Sequence, residues 1–92
     1  MLVLETTVKY RKDLKLMHKR GLDLSLLEAI IEKLKSQEPL EAKHHDHPLK
    51  GNYIGFRECH IEPNWLLIYT IDNNRLILTA SRTGTHSDLF KK

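Results

Sequence analysis

The spacing of apolar positions along this chain changes near Tyr53, from a helical period before it to dense β-forming runs after it. Residues 2–6, Leu-Val-Leu-Glu-Thr, are few and rich in β-formers, which predicts a short first strand. Thr7 can cap a helix in which Tyr10, Leu14 and Met17 recur at helical spacing, with basic residues mostly around the other side. Gly21 suits the end of that helix. Ser25 and Glu28 have the S-x-x-E spacing of a capping box, and Leu26, Leu27, Ile30, Ile31 and Leu34 form a broad apolar stripe, so a second helix is expected, ended by Pro39. The short connection makes the two helices an antiparallel hairpin. Three strands are expected over 53–61, 65–71 and 75–82, separated by turns at Glu62-Pro63-Asn64 and Asp72-Asn73-Asn74. Connections this short force the strands to be antiparallel, because a parallel crossover needs a dozen or more residues. The fold class predicted is α+β: two N-terminal helices packed on one face of an antiparallel sheet.

Length and composition narrow the picture. A chain of 92 residues is expected to form one domain across 1–92. At 40% hydrophobic residues and a net charge of +3, it has the apolar content to fold and too little charge for wholesale disorder. The longest apolar run, 65–69, falls far short of the roughly 20 residues a membrane-crossing helix needs. Charged residues follow Met1 closely, so no signal peptide is expected, and the one cysteine, Cys59, cannot close an internal disulfide. Both point to the reducing cytoplasm. The charge is unevenly placed: Lys9, Arg11, Lys12, Lys15, Lys19 and Arg20 stand against Asp13 alone, a local +5 that leaves −2 for the remainder. Such a cluster suits a phosphate backbone or an acidic protein partner, or else it is a solvated helix face.

Five of the six histidines, His44, His45, His47, His60 and His86, lie from residue 44 onward. Three readings compete. A zinc site could draw on His45, His47, Asp46, His60, His86 and Cys59, although their spacing matches no standard structural zinc pattern. Some histidines, His18, His44 and His45 foremost, are expected to be incidental surface residues. The third reading is acid–base catalysis, since histidine exchanges protons near neutral pH. In a three-stranded meander the first and third strands run the same way, so His60, Arg82 and His86 converge at one end of the sheet. Arg57 faces the opposite side of an ideal strand from His60, and His47 reaches the site only if the loop after it folds back. Histidines with an arginine suffice for RNA cleavage. A base takes the 2′-hydroxyl proton, an acid protonates the departing 5′-oxygen, and a cation stabilises the charge on the phosphate. Phe90 could stack on a base or, with Leu89, plug the core. Gly51, Gly55 and Gly84 form no phosphate-binding loop motif, so nucleoside triphosphate use is unsupported.

Four segments together resemble the YafQ branch of the RelE/ParE toxin superfamily: Asp46-His47-Pro48-Leu49-Lys50-Gly51, Phe56-Arg57-Glu58-Cys59-His60-Ile61-Glu62-Pro63, Leu67-Ile68-Tyr69, and Arg82-Thr83-Gly84-Thr85-His86-Ser87-Asp88-Leu89-Phe90. Their order and spacing cover nearly the whole chain. The resemblance implies a RelE-like fold and a type II toxin that acts as an mRNA interferase in the ribosomal A site, without cofactor or metal. It implies His47, His60, His86 and Glu58 as the catalytic group, with His86 the acid and His47 or His60 the base. Arg57, Arg82 and Lys50 would serve the phosphate and Phe90 the base of the RNA. Lys9, Arg11, Lys12, Lys15 and Lys19 would lie on ribosomal RNA, and a cognate antitoxin would cover the toxin with acidic and apolar segments. Relatives often carry Asp where this chain has Glu58, and an acid where it has Asn64, which cannot act as a base. The ParE branch supplies the competing expectation, a non-enzymatic inhibitor of DNA gyrase.

Overall fold

In the computed structural model, which describes residues 1–90, the chain runs β1 (Val3–Thr6), α1 (Val8–Lys19), α2 (Leu24–Lys35), β2 (His47–Pro48), β3 (Arg57–Glu62), β4 (Trp65–Asp72), β5 (Ile77–Gly84) and a short α3 (His86–Leu89). Single 3-10 turns occupy Ala42–His44 and Gly51–Tyr53. Thr7 caps α1 as its sequence suggests, its hydroxyl accepting the Tyr10 N–H at 3.0 Å. Gly21 turns the chain out of the helix at φ +80°, a conformation glycine adopts without a Cβ penalty. The cap of α2 is Asp23 rather than Ser25: its carboxylate accepts the Ser25 N–H at 3.0 Å and the Ser25 hydroxyl at 2.6 Å, so the expected capping box is not used. The helix ends before Pro39, because Gln37 already enters the left-handed region at φ +56°.

The sheet order is β1-β5-β4-β3-β2, with β2 and Pro48 at one edge. From β2 to β5 every pairing is antiparallel, as the short turns require. β1 instead runs parallel to β5, so the sheet is mixed and not wholly antiparallel. Most of the chain lies between these two strands, ample for a parallel crossover. The strand expected over 53–61 starts only at Arg57, since Gly51–Tyr53 closes a 3-10 turn and Gly55 sits at φ +93°. The strand expected over 75–82 is displaced to Ile77–Gly84 because Leu76 adopts φ +57°.

Alternation along β4 sends Leu67 and Tyr69 to one face and Leu66 and Ile68 to the other, and all four are buried. On the first face Met17 from α1 and Leu27, Ile30, Ile31 and Leu34 from α2 pack with Cys59, Leu67, Tyr69 and Leu78. Each such side chain gains roughly 1.5–3 kcal/mol on burial, so this face holds most of the folding free energy. The second face has a smaller cluster of Leu66, Ile68 and Leu89, flanked by Leu49, Tyr53, Phe56 and Phe90. Between them the Trp65 indole N–H donates to the Thr83 hydroxyl at 2.9 Å, which donates to the Leu66 carbonyl at 2.7 Å. No polar atom of that buried chain lacks a partner.

β1 pairs with β5 as far as Ala80, and beyond that point α1 takes over the edge. Thr7 donates its hydroxyl to the Ser81 carbonyl at 2.7 Å, and Asp13 accepts the Thr83 N–H at 3.2 Å. Among the described residues no helix is long and apolar enough to cross a membrane.

Candidate active site

Register across the sheet builds the site. His47 on β2 stands opposite Glu58 on β3, Glu58 opposite Ile68 on β4, and Ile68 opposite Arg82 on β5. His60, two residues beyond Glu58, faces the same side and pairs with Leu66, which in turn pairs with Gly84. Immediately after β5, Thr85 caps α3, so His86 is that helix's first residue. The His60 and His86 rings are 5.9 Å apart between centres, and Phe90 lies 5.8 Å from His86. Glu58 is 4% exposed, with its Oε2 2.9 Å from His47 Nε2 and 3.8 Å from His60 Nε2. The predicted catalytic group of His47, Glu58, His60 and His86 is thus brought to one face.

His47 Nδ1 lies 3.1 Å from the Pro48 carbonyl, which can only accept, while Nε2 meets the Glu58 carboxylate. Both ring nitrogens therefore face acceptors. His44, expected on the surface, is buried instead, and its Nδ1 donates to the His60 carbonyl at 2.6 Å. The 3-10 turn Ala42–His44 folds it beneath β3, so its ring supports the backbone of a catalytic candidate. His45 stays exposed, at φ +44°, edge-on to His60 with ring centres 5.5 Å apart. His18 is exposed as expected.

The two candidate phosphate-binding arginines are both engaged by carboxylates. Arg57 pairs across β3 and β4 with Tyr69, on the helix-covered face, and its Nη2 sits 3.4 Å from Asp46 Oδ2. The Tyr69 hydroxyl donates to Asp46 Oδ1 at 2.5 Å, and burial pushes that hydroxyl well above the ordinary tyrosine range. Arg57 is therefore not brought to the histidines; it helps to anchor the residue before His47. Arg82 does share their face, but Nε and Nη2 donate to the two Asp13 oxygens at 2.7 and 3.1 Å. That hydrogen bonding holds its pKa above the usual arginine value, and the bidentate pair occupies two of five N–H donors. Asp13, the one acid in the basic run, thus has a structural partner that its position in the sequence does not disclose.

Lys50 is exposed at the start of the Gly51–Tyr53 turn. Lys9, Arg11, Lys12, Lys15 and Lys19 are all exposed on α1, with Arg11 donating to the Thr6 carbonyl and hydroxyl at 3.0 and 2.8 Å. Phe90 meets Tyr53 edge-on, ring centres 5.5 Å apart, so it joins the small cluster while bordering His86. The Cys59 thiol is fully buried, and burial pushes its pKa up to about 12, so it is no nucleophile. Among the described residues no group of three or more His, Cys, Asp or Glu side chains is placed to hold a metal ion. Cys59 packs into the helix-side core and Asp46 turns to Tyr69, which takes both away from the histidines.

Comparison with known proteins identifies the family and matches the fold over nearly the whole chain. The family model described as a bacterial toxin of type II toxin–antitoxin systems, YafQ, matches residues 2–91. The chain belongs to the YafQ toxin family. It is 41% identical over 88 residues to the mRNA interferase toxin YafQ of Escherichia coli K12, spanning 95% of this chain and 94% of that one. A metal-bound toxin from Helicobacter pylori superposes with a TM-score of 0.92 at 47% identity, covering 98% of this chain and all of the other. YafQ from the Escherichia coli DinJ–YafQ complex superposes at 0.88 with 37% identity, over 98% of this chain and 99% of that one. This chain thus shares its α+β fold, a helical hairpin against a mixed sheet, with these solved toxins.

Proposed function

We propose that this YafQ-family toxin is an mRNA interferase, an endoribonuclease that cuts messenger RNA on the ribosome by acid–base chemistry of its own side chains. The observation that carries it is the pairing of His60 and His86 across 5.9 Å, beside a buried carboxylate and an aromatic ring. Rings at that separation can flank a single phosphate. His60 takes the proton of the ribose 2′-hydroxyl, the 2′-oxygen attacks phosphorus, and the bond to the 5′-oxygen breaks. His86 gives that leaving oxygen its proton, so the products are a 2′,3′-cyclic phosphate and a free 5′-hydroxyl.

His47 takes a different part from a base, because Glu58 occupies its Nε2. When doubly protonated it satisfies both the Pro48 carbonyl and Glu58, and it sets a positive charge beside the phosphate. That role matters because Arg57 is turned away and Arg82 is partly committed to Asp13. The remaining Arg82 donors, Lys50 and Phe90 are left to hold the RNA. The exposed lysines of α1 lie on ribosomal RNA in the cytoplasm, and an antitoxin with acidic and apolar segments covers the same surface when the toxin is silent. In a translating extract, mapped 5′ ends of a reporter message should fall in phase with codons, and His86→Ala should abolish them. Intact message with translation still blocked would overturn the proposal; gyrase inhibition surviving the loss of His47, His60 and His86 would replace it with the ParE-like alternative.

A further inference from the structure

Arg20 is one of six basic residues between Lys9 and Arg20, yet it does not behave like the exposed lysines beside it. From the C-terminal end of α1 its guanidinium crosses to Asp88, 68 residues away, donating through Nη1 to Oδ2 at 2.7 Å and through Nη2 to Oδ1 at 3.1 Å. Asp88 is the third residue of α3, the helix that His86 opens. With four residues, α3 is far below the roughly 12–15 at which a helix stands by itself, so its orientation depends on what grips it.

Three grips converge on Asp88. Its Oδ2 accepts the Thr85 N–H at 2.9 Å while its own N–H donates to the Thr85 hydroxyl at 3.2 Å, a closed capping box. Its side chain packs against Gly84, where a Cβ would meet Asp88 Cβ and Oδ2 at 3.0 Å. Arg20 closes the third side, and its hydrogen bonds hold the Asp88 carboxyl well below the usual carboxylate range. Asp13 clamps the preceding stretch of β5 through Arg82 and Thr83, so α1 fastens the His86 segment at two points.

We propose that Arg20 is a positioning residue for His86: by gripping Asp88 bidentately it aims the short helix that presents the imidazole to the RNA. The inference rests on the proposed role of His86 as general acid. It also separates Arg20 from the ribosome-facing lysines, since its fork is turned to the protein.

The test compares Arg20→Met, Arg20→Lys and Asp88→Asn with Lys15→Glu in ribosome-bound cleavage of a reporter message, alongside nuclear magnetic resonance of the histidine rings in the free toxin. Arg20→Met should lower kcat about 10- to 100-fold, the cost of a misplaced catalytic group, with KM for ribosomes little changed. The His86 ring resonances should move while those of His47 stay. Combining Arg20→Met with Asp88→Asn should cost no more than the worse single change, as for two halves of one contact. Arg20→Lys should restore part of kcat, and Lys15→Glu should raise KM instead. A rise in KM at constant kcat for Arg20→Met, or unmoved His86 resonances, would overturn the proposal. If His86→Ala still cleaves, the proposed chemistry fails, and the ring resonances alone then decide whether Arg20 positions His86.

Discussion

The two faces of the sheet are built from the same alternating strands and put to opposite uses. The helix-covered face carries Leu67, Tyr69 and Cys59 in a closed core under α1 and α2. The other face has a three-residue core, and beside it the buried Glu58 carboxylate sits among His47, His60 and His86, from β2, β3 and the start of α3. One face stores stability and the other can hold titratable groups in unfilled positions, because folding does not depend on covering them. The contrast explains why Glu58 and His60 can share β3 with Cys59 and Ile61: each residue step moves from one regime to the other.

The sharpest way to break this contrast is a crossed pair of substitutions. His86→Ala should lower cleavage by roughly 10²- to 10⁴-fold, the usual worth of a proton-transfer group, and leave the melting temperature nearly unchanged. Leu67→Ala, at a fully buried position on the helix side, should cost about 2–5 kcal/mol of stability while the folded fraction keeps its specific activity. If chemical denaturation and single-turnover cleavage moved together in both variants, the division between faces would not exist.

A milder effect is expected from α1. Reversing Lys12 and Lys15 to Glu should weaken ribosome binding and flatten its salt dependence, since each lost phosphate contact removes about one unit of slope on B-form DNA and somewhat less on single strands. Thermal stability should stay the same, both side chains being exposed. Cys59 provides a chemical check on the closed face: with its thiol pushed up to about 12, iodoacetamide at pH 8 should label it only after unfolding.

The smallest effect concerns pH. Arg20 depresses the Asp88 carboxyl, so the pair stabilises the fold above the unbound value of 3.8 and loses that contribution as pH falls below it. Denaturation midpoints of the parent and Asp88→Asn should therefore differ by a constant amount from neutral pH down to about pH 5 and converge in stronger acid. The gap should be modest, because the Arg20 side chain is 41% exposed and solvent screens the pair.

Much of this was legible in the residues. Helical spacing located α1 and α2, the Thr7 cap was visible as a hydroxyl ahead of an apolar period, and two short turns dictated the antiparallel meander. The same meander puts His60 and His86 at one end of the sheet, where their ring centres lie 5.9 Å apart. What escaped depends on contacts between residues far apart in sequence. The parallel pairing of β1 with β5 has no local signature, and neither has His44 folding under β3. Arg57 and Arg82 look like free cations in a motif, and only the fold shows Asp46 and Asp13 meeting them. Charge along a chain can be counted by eye; its neutralisation across 69 residues cannot.

The two-residue strand His47–Pro48 at the sheet's margin has a consequence for how the toxin behaves in a crowded solution. An uncovered strand is a template on which another chain can lay itself down, and successive additions lead to aggregates. Here the template is nearly erased: it is two residues long, and Pro48 has no N–H to offer a newcomer. At the opposite margin β1 is only four residues long, and Arg11 already occupies the Thr6 carbonyl. Both hydrogen-bonding margins of the sheet therefore offer little to an incoming strand.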